Sequence, residues 1–400
     1  MRLGKRALAI VLGTSVGVGA AALALALLPS RPGPASWEAA PVQGTLVDEA
    51  AGPIEAVAFH YTPGGEPVFG KIYEAFLPSL DPKVRLLALV PPGQEVRARL
   101  DAFVAAMPGG AGLAARIEVA VASGSISPWS KDRALVAVDH PERGRGAIRL
   151  LAPAEPVGAW PQRLADWNAP MDLARAFPAD LAVSVLPLDF DAGDFAITGG
   201  RLLVDVNLVA KNAGRGLDTP AKLARALERV FGMKVVVLGE KPGDVPRHHL
   251  SMYLTPLTDR VVLLGDPREG REIVGAGWAP GEASPDAGEP LRADFSDEVL
   301  ARYDRASQAL SAAGFEVARI PTVPFDDKTY LAYTNGIFET RGGRKIAWMP
   351  TFGLPDLDAR ARTVYEGRGW EVRPVPSRAA FPYHGTVGCL VNVLARGGGE

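Results

Sequence analysis

Three stretches of this 400-residue chain repeat one order of elements: a β-hairpin, a helix and a returning strand. In the first, residues 195–198 and 202–206 flank a turn at Gly199 and Gly200, a helix spans 220–231 and a strand spans 234–238. In the second, 250–254 and 261–264 flank Thr258 and Asp259, followed by a helix near 297–313 and a strand at 315–320. In the third, 330–339 and 345–348 flank Gly342 and Gly343, followed by a helix near 355–367 and a strand at 370–372. Glycine or aspartate stands where a tight hairpin turn needs positive φ. No unit can cover its own apolar face, so the units must pack on one another. Their unequal spacing argues against a solenoid and for a closed ring with loops of different length. Earlier segments fit the order less completely: 135–138 and 147–151 read as another hairpin, and 54–59 with 84–90 flank a helix. The predicted class is α/β. The Pro-, Gly- and acid-rich stretch 265–289, which carries Trp278, reads as a surface loop, with a lid and a disordered loop as the two alternatives.

The N-terminus has a different character. Arg2, Lys5 and Arg6 precede an uncharged stretch from 7 to 28, closed by Pro29-Ser30-Arg31-Pro32. About 20 apolar residues suffice to cross a bilayer, whereas the apolar core of a cleaved signal is shorter, roughly 7–15 residues. Residues 1–31 are therefore read as a signal-anchor, with a cleaved signal peptide as the alternative, and the membrane is the partner of this helix. The basic residues stay inside, which puts everything after Pro29 outside the cytoplasm. A Pro/Ala/Gly-rich linker spans 32–43, and the folded domain is expected over 44–400. Net charge is −2, and no basic stripe with interleaved aromatics appears, which argues against a nucleic-acid partner.

Chemically capable side chains occupy the equivalent point in four different units. Asp132 lies two residues before the strand at 134–136, and Asp191 and Asp194 come just before Phe195. His249 precedes Leu250, and Cys389, the only cysteine, enters the last strand at 390–393. A lone thiol makes no internal disulfide, so it is either a small buried hydrophobe or a nucleophile. In a ring of such units these points converge on the axis, which favours the nucleophile. No metal or cofactor is expected. His248 and His249 are adjacent, so on a strand they would point to opposite faces, and there is no Cys/His cluster.

These residues lie in runs that resemble one known family. Trp129-Ser130-Lys131-Asp132-Arg133 resembles the W-x-R-D segment of guanidine-modifying enzymes with the pentein fold. The family includes agmatine deiminases, arginine deiminases, dimethylarginine hydrolases and peptidylarginine deiminases. The run 188–195 is similar to their [E/D]-G-G-D element, with Ala192 in place of the first glycine, and 248–253 to their H-V-D-x-F or H-L-K-S element. Thr334-Asn335-Gly336 followed by 347–353 resembles their N-G … V-P-x-F/Y-G hairpin, and Gly388-Cys389 matches the position of their nucleophile. The resemblance runs in order from Trp129 to Cys389.

What the resemblance implies is specific. The fold would be a pentein-type α/β propeller of hairpin–helix–strand units around a pseudo-fivefold axis. Cys389 would attack a guanidino carbon and His249 would move the proton. Asp132 and Asp191 would grip the guanidinium by bidentate, charge-assisted bonds. Trp129, Asp194, Arg133 and Asn335 would contact the substrate, with Arg133 suited to a substrate carboxylate. The substrate would be a small guanidino compound or an arginine side chain, and the product a ureido group plus ammonia or an amine. Amidinotransfer is the enzymatic alternative, and a membrane-tethered guanidino-binding protein without turnover is the alternative of a different class. One position departs from the pattern: agmatine and arginine deiminases carry an aspartate where this chain has Ser251, which makes agmatine and free arginine weaker candidates.

Overall fold

The structure, a computed structural model, describes residues 39–139, 148–154 and 161–398. The expected signal or anchor at 1–31 and the start of the linker lie outside the described residues. No helix among the described residues is long and apolar enough to cross a membrane.

Among the described residues the chain forms an α/β array of five small sheets. Each sheet contains an antiparallel pair whose second strand is paired in parallel with a third strand that returns after a helix. Ala196–Thr198 and Arg201–Asp205 pair antiparallel, and Lys234–Leu238 returns parallel to Arg201–Asp205. The turn between the first two strands holds Gly199 at φ 51° and Gly200 at φ 73°, a left-handed pair that matches the strand twist. The connecting helix Pro220–Phe231 begins at Thr219, whose side chain accepts from the Lys222 N–H, has proline in its first turn, and stops at Gly232 with φ 64°. Leu223, Ala226, Leu227 and Val230 form its buried stripe.

The other expected repeats follow the same plan. Leu254–Pro256 and Val261–Asp266 pair antiparallel, helix Asp297–Ala312 follows, and Glu316–Pro324 returns. Ile337–Arg341 and Arg344–Thr351 pair antiparallel, with helix Pro355–Glu366 and strand Trp370–Pro376 after them. Leu135–Val138 pairs with Ile148–Pro153, then helix Ala169–Ala176 leads to Leu181–Leu186. The fifth sheet joins the two ends of the chain. Val391–Arg396 pairs antiparallel with Ile54–His60, Val391 opposite Phe59, and helix Glu66–Phe76 leads on to Arg85–Val90.

Side chains tie sheet to sheet. Trp348 is fully buried, packs edge-on against Phe76 at 5.3 Å between centroids, and donates its indole N–H to Ser79 Oγ at 2.7 Å. That contact satisfies the one polar atom of a large apolar side chain. Part of the expected linker touches the fold: Ala39 and Val42 pack on the apolar core, and the Val42 N–H donates to Val230 O at 2.8 Å.

Three boundaries differ from expectation. The strand expected at 250–254 is a 3-10 turn, Leu250–Met252, with the strand beginning at Leu254. The run 330–339 is split: Tyr330–Ala332 pairs with Glu316–Pro324, and the next hairpin starts only at Ile337. At the end of the intervening Tyr333–Gly336 bend, Gly336 lies so close to Trp348 O that a side-chain carbon there would be 2.7 Å from it. The stretch read as a loop from 265 opens with a helix, Pro267–Val274, capped by Asp266 and pressed on Glu316–Pro324. Trp278 is half-buried against Phe325, at 6.1 Å between centroids.

Candidate active site

The helical turns that precede three of the first hairpin strands carry the chemistry. They are Ala192–Asp194, Leu250–Met252 and Val387–Leu390. Asp132 comes from the bend before Leu135–Val138, and backbone bonds stitch the segments together. The Ala192 N–H donates to Asp132 O at 2.8 Å, and the Lys131 N–H to Cys389 O at 3.1 Å. Asp132, Asp191, His249 and Cys389 are 3%, 6%, 5% and 4% exposed, so the cluster is shielded from bulk water.

Cys389 is fixed from below. Thr386 Oγ1 lies 2.7 Å from both the carbonyl and the Oδ1 of Asn335, and the Gly388 N–H donates to the Asn335 carbonyl. A side chain at Gly388 would come within 3.0 Å of the carbonyls of Asn335 and Gly336. With the glycine in place, Cys389 Sγ donates to Asn335 Oδ1 at 3.4 Å and rests 4.0 Å from Met252 Sδ. Asn335 Nδ2 in turn donates to the carbonyl and hydroxyl of Ser251. Asn335, expected to contact the substrate, is thus in contact with the Cys389 thiol.

His249 is placed by stacking and by a missing side chain. His248 adopts φ 71°, and its ring stacks on His249 at 4.0 Å and 16°. The two imidazoles therefore do not diverge as neighbours on a strand would, because they sit in a turn and not on a strand. On the other side, a carbon added to Gly193 would lie 2.7 Å from Cγ and Nδ1 of His249. His249 Nε2 faces Asp191 Oδ2 at 3.4 Å, and Nδ1 faces Asp132 Oδ1 at 4.0 Å.

Asp191 is held differently from expectation. Its Oδ1 accepts from Arg133 Nη1 at 3.0 Å, and its Oδ2 from Lys211 Nζ at 3.1 Å as well as facing His249. Both oxygens are taken, so Asp191 presents no open edge for a bidentate guanidinium grip. Arg133, expected at the substrate, is buried against Asp191. Asp194 accepts from the Asp191 N–H at 2.9 Å and from Lys211 Nζ at 2.6 Å, which makes it a support for Lys211. Trp129 is half-buried between Phe69, edge-on at 5.4 Å, and the Cys389 cluster, and Gly385 leaves it room.

The charges reinforce this arrangement. Burial favours the neutral form of Asp191, but Lys211, His249 and Arg133 outweigh it and hold the carboxyl well below the usual range. Burial also opposes charge on His249, yet hydrogen bonding to Asp191 and Cys389, with the charges of Asp132 and Asp191, pushes it well above the ordinary imidazole value. Burial, then repulsion from His249 and His384, pushes His248 well below. Asp132, Asp191 and His249 offer three donor atoms within 4.8 Å of one another. The cations already on Asp191 and the proton favoured on His249 make that set a poor fit for a divalent ion.

Lys211 escaped sequence reading. It sits in the last turn of the short helix Val206–Asn212, where a lysine carries no spacing signature. Ser251, flagged only as a departure, is the link from Asn335 to the His249 turn.

The fold and this site place the chain in one structural class: it shares the pentein fold of the guanidine-modifying enzymes. Solved structures with the same fold include the agmatine deiminase of C. jejuni in a substrate-bound variant, with a TM-score of 0.60 at 13% identity over 87% of this chain and 95% of that one. The agmatine deiminase of Enterococcus faecalis gives 0.56 at 14% identity over 88% of this chain and 98% of that one. No protein-family profile matches the sequence, and no curated protein matches it.

Proposed function

We propose that the chain is a hydrolase of guanidino groups that works through a covalent intermediate on Cys389, with its five sheets set as the blades of a pentein-type propeller about a pseudo-fivefold axis. The observation that carries this reading is the convergence of Cys389, His249 and Asp132, with Asp191 behind the imidazole, in a buried cluster. Among the described residues, His249 is the imidazole placed to serve Cys389, and Asp191 orients it. The similarity to agmatine deiminases supports the class of chemistry through the fold.

In the mechanism, the Cys389 sulfur bonds to the central carbon of the guanidino group while the thiol proton is held on His249. The tetrahedral adduct breaks a C–N bond, and the departing nitrogen takes that proton, leaving a thiouronium ester. Water then adds to its carbon and gives a proton to the neutral His249. Cleavage of the C–S bond, with the hydroxyl proton passing to ammonia, yields the ureido product and restores thiolate and imidazolium. Asp132 faces the working nitrogen of His249 and supplies the negative charge at the reacting centre.

The N-terminal residues 1–31 would anchor the protein or be clipped, with the folded part outside the cytoplasm. Ser251 in place of an aspartate and the occupied carboxylate of Asp191 favour one second reading, a guanidino-ligand-binding protein without turnover. Incubating the full-length protein with alkyl- and acylguanidines and assaying ureido product separates the two. Product that depends on Cys389 supports the hydrolase, and binding without product supports the second reading.

A further inference from the structure

Among the described non-glycine residues, positive φ occurs at His248 and His384, each at 71°. An L-residue is strained in that region unless its surroundings hold it there, and such outliers gather at functional sites. These two are partners: the His248 Nε2–H donates to the His384 carbonyl at 3.3 Å. The same turn at His248 lets two neighbouring imidazoles stack, His248 on His249 at 4.0 Å and 16°. A carbonyl only accepts, so His248 carries its proton on Nε2. Burial, with the charges of His249 and His384, keeps that ring neutral. His248 therefore takes no part in the proton transfers assigned to His249, yet it closes one face of that ring.

His384 is fixed in turn at both ring nitrogens. Nδ1 lies 3.0 Å from Thr329 Oγ1, and Nε2 lies 3.1 Å from Asp286 Oδ2. Asp286 stands at the tip of the loop 282–291, whose ends meet through the Leu291 N–H on the Glu282 carbonyl and a bridge between Ala283 and Pro290. At the base of the loop, Glu282 accepts from Nε and Nη2 of Arg378 at 2.7 and 3.1 Å. Arg378 and His384 flank the 3-10 turn Phe381–Tyr383, on the stretch of chain that runs on to Cys389. Base and tip of the loop are thus both tied to the segment that leads to the thiol.

Resting on the reading that His249 is the proton carrier, we propose that the loop 282–291 is a positioning element of the site, with Asp286 holding the His249 ring through His384 and His248. The carboxylate fixes the His384 ring, and that ring fixes the carbonyl beside it. The carbonyl sets the tilt of His248, and the face of His248 limits how far His249 can turn away from Cys389. Displacing a working group by about 1 Å costs on the order of a hundredfold in rate, so even partial loosening of this chain of contacts is expensive.

The test is a double-mutant cycle in the full-length protein. Asp286 is a loop-tip side chain, 30% exposed, so its replacement leaves the core intact. With an alkyl- or acylguanidine that gives Cys389-dependent ureido product, Asp286→Ala should lower kcat by about tenfold and change KM by less than about twofold. Asp286→Asn keeps an acceptor for the His384 Nε2–H and should recover most of that loss. In a His248→Ala background, Asp286→Ala should cost nothing further, because the link is already cut. An Asp286→Ala kcat equal to that of wild type, or two losses that multiply in the double variant, overturns the inference and leaves the hydrolase reading standing. NMR of 15N-histidine-labelled protein supplies a readout free of turnover: Asp286→Ala and His248→Ala should both move the His249 ring resonances. Unmoved His249 resonances in Asp286→Ala overturn the inference. If no guanidino compound yields product, the hydrolase reading falls, and the His249 resonances still decide whether Asp286 holds that ring.

Discussion

His249 directs Nε2 at Asp191 Oδ2, 3.4 Å away, and leaves Nδ1 turned toward Asp132 at 4.0 Å. One nitrogen is thereby committed to orientation and the other is left for proton transfer. In the proposed mechanism the roles of the two carboxylates follow from that division: Asp191, clamped by Arg133 and Lys211, orients the ring, and Asp132 stands on the working side.

Cys389→Ser and His249→Ala should each abolish turnover while leaving the protein folded. Removing a nucleophile or its proton carrier lowers kcat by roughly a hundredfold or more. Activity assays alongside circular dichroism check this. A Cys389→Ser protein that retains more than about one hundredth of wild-type kcat contradicts the covalent route.

Gly193→Ala should cost both activity and stability. The added carbon would lie 2.7 Å from the His249 ring, which is closed on its other face by His248 at 4.0 Å. The ring must shift, at a cost of about 1–3 kcal/mol as for other overpacked cores. Thermal unfolding and kcat measured together are expected to fall, whereas an unchanged kcat would mean that the ring position is not critical.

Asp205 offers a pH test away from the thiol. It caps the helix that carries Lys211, accepts from Tyr253 Oη at 2.7 Å, and burial pushes its carboxyl up to about 7. A raised folded-state value contributes stability that is fully present below the unfolded value, near 3.8, and is lost as pH rises through about 7. Asp205→Asn keeps a carbonyl acceptor for the Asn207 N–H and cannot ionise. Its melting temperature relative to wild type should therefore rise steadily between pH 4 and 8, and a flat difference across that range would refute the assignment.

Truncation separates the tether from the fold. Removing 1–31 should leave a folded, active protein, because the first described contacts begin at Ala39. Removing 1–43 should lower the melting temperature, since it deletes the Val42 N–H bond to Val230 O and the packing of Ala39 and Val42. Equal melting temperatures for the two truncations would show those contacts to be unimportant.

Much of the fold was legible where the signals are local. The helix Pro220–Phe231 and the strand Lys234–Leu238 match the sequence reading, because proline, a threonine cap and a left-handed glycine mark the helix ends. The closing pair of Val391–Arg396 with Ile54–His60 was not legible, since no turn joins two strands from opposite ends of a chain. At the site, order along the chain pointed to Cys389, His249, Asp191 and Asp132, which the fold brings into one buried cluster. It could not give the direction of the Arg133 side chain or the reach of Lys211, which depend on packing between distant segments. That is why the contacts of Arg133 and Lys211 with Asp191 were not foreseen. The strand assumed at 250–254 failed because a single helical turn and a short strand share the same apolar composition.

The measurement that bears most directly on the account is peptide mass spectrometry of the full-length protein, acid-quenched during turnover of a guanidino compound. The account predicts a thiouronium adduct on the peptide that contains Cys389, appearing before ureido product and absent from Cys389→Ser. Ureido product formed without any adduct at Cys389, or formed undiminished by Cys389→Ser, would contradict it.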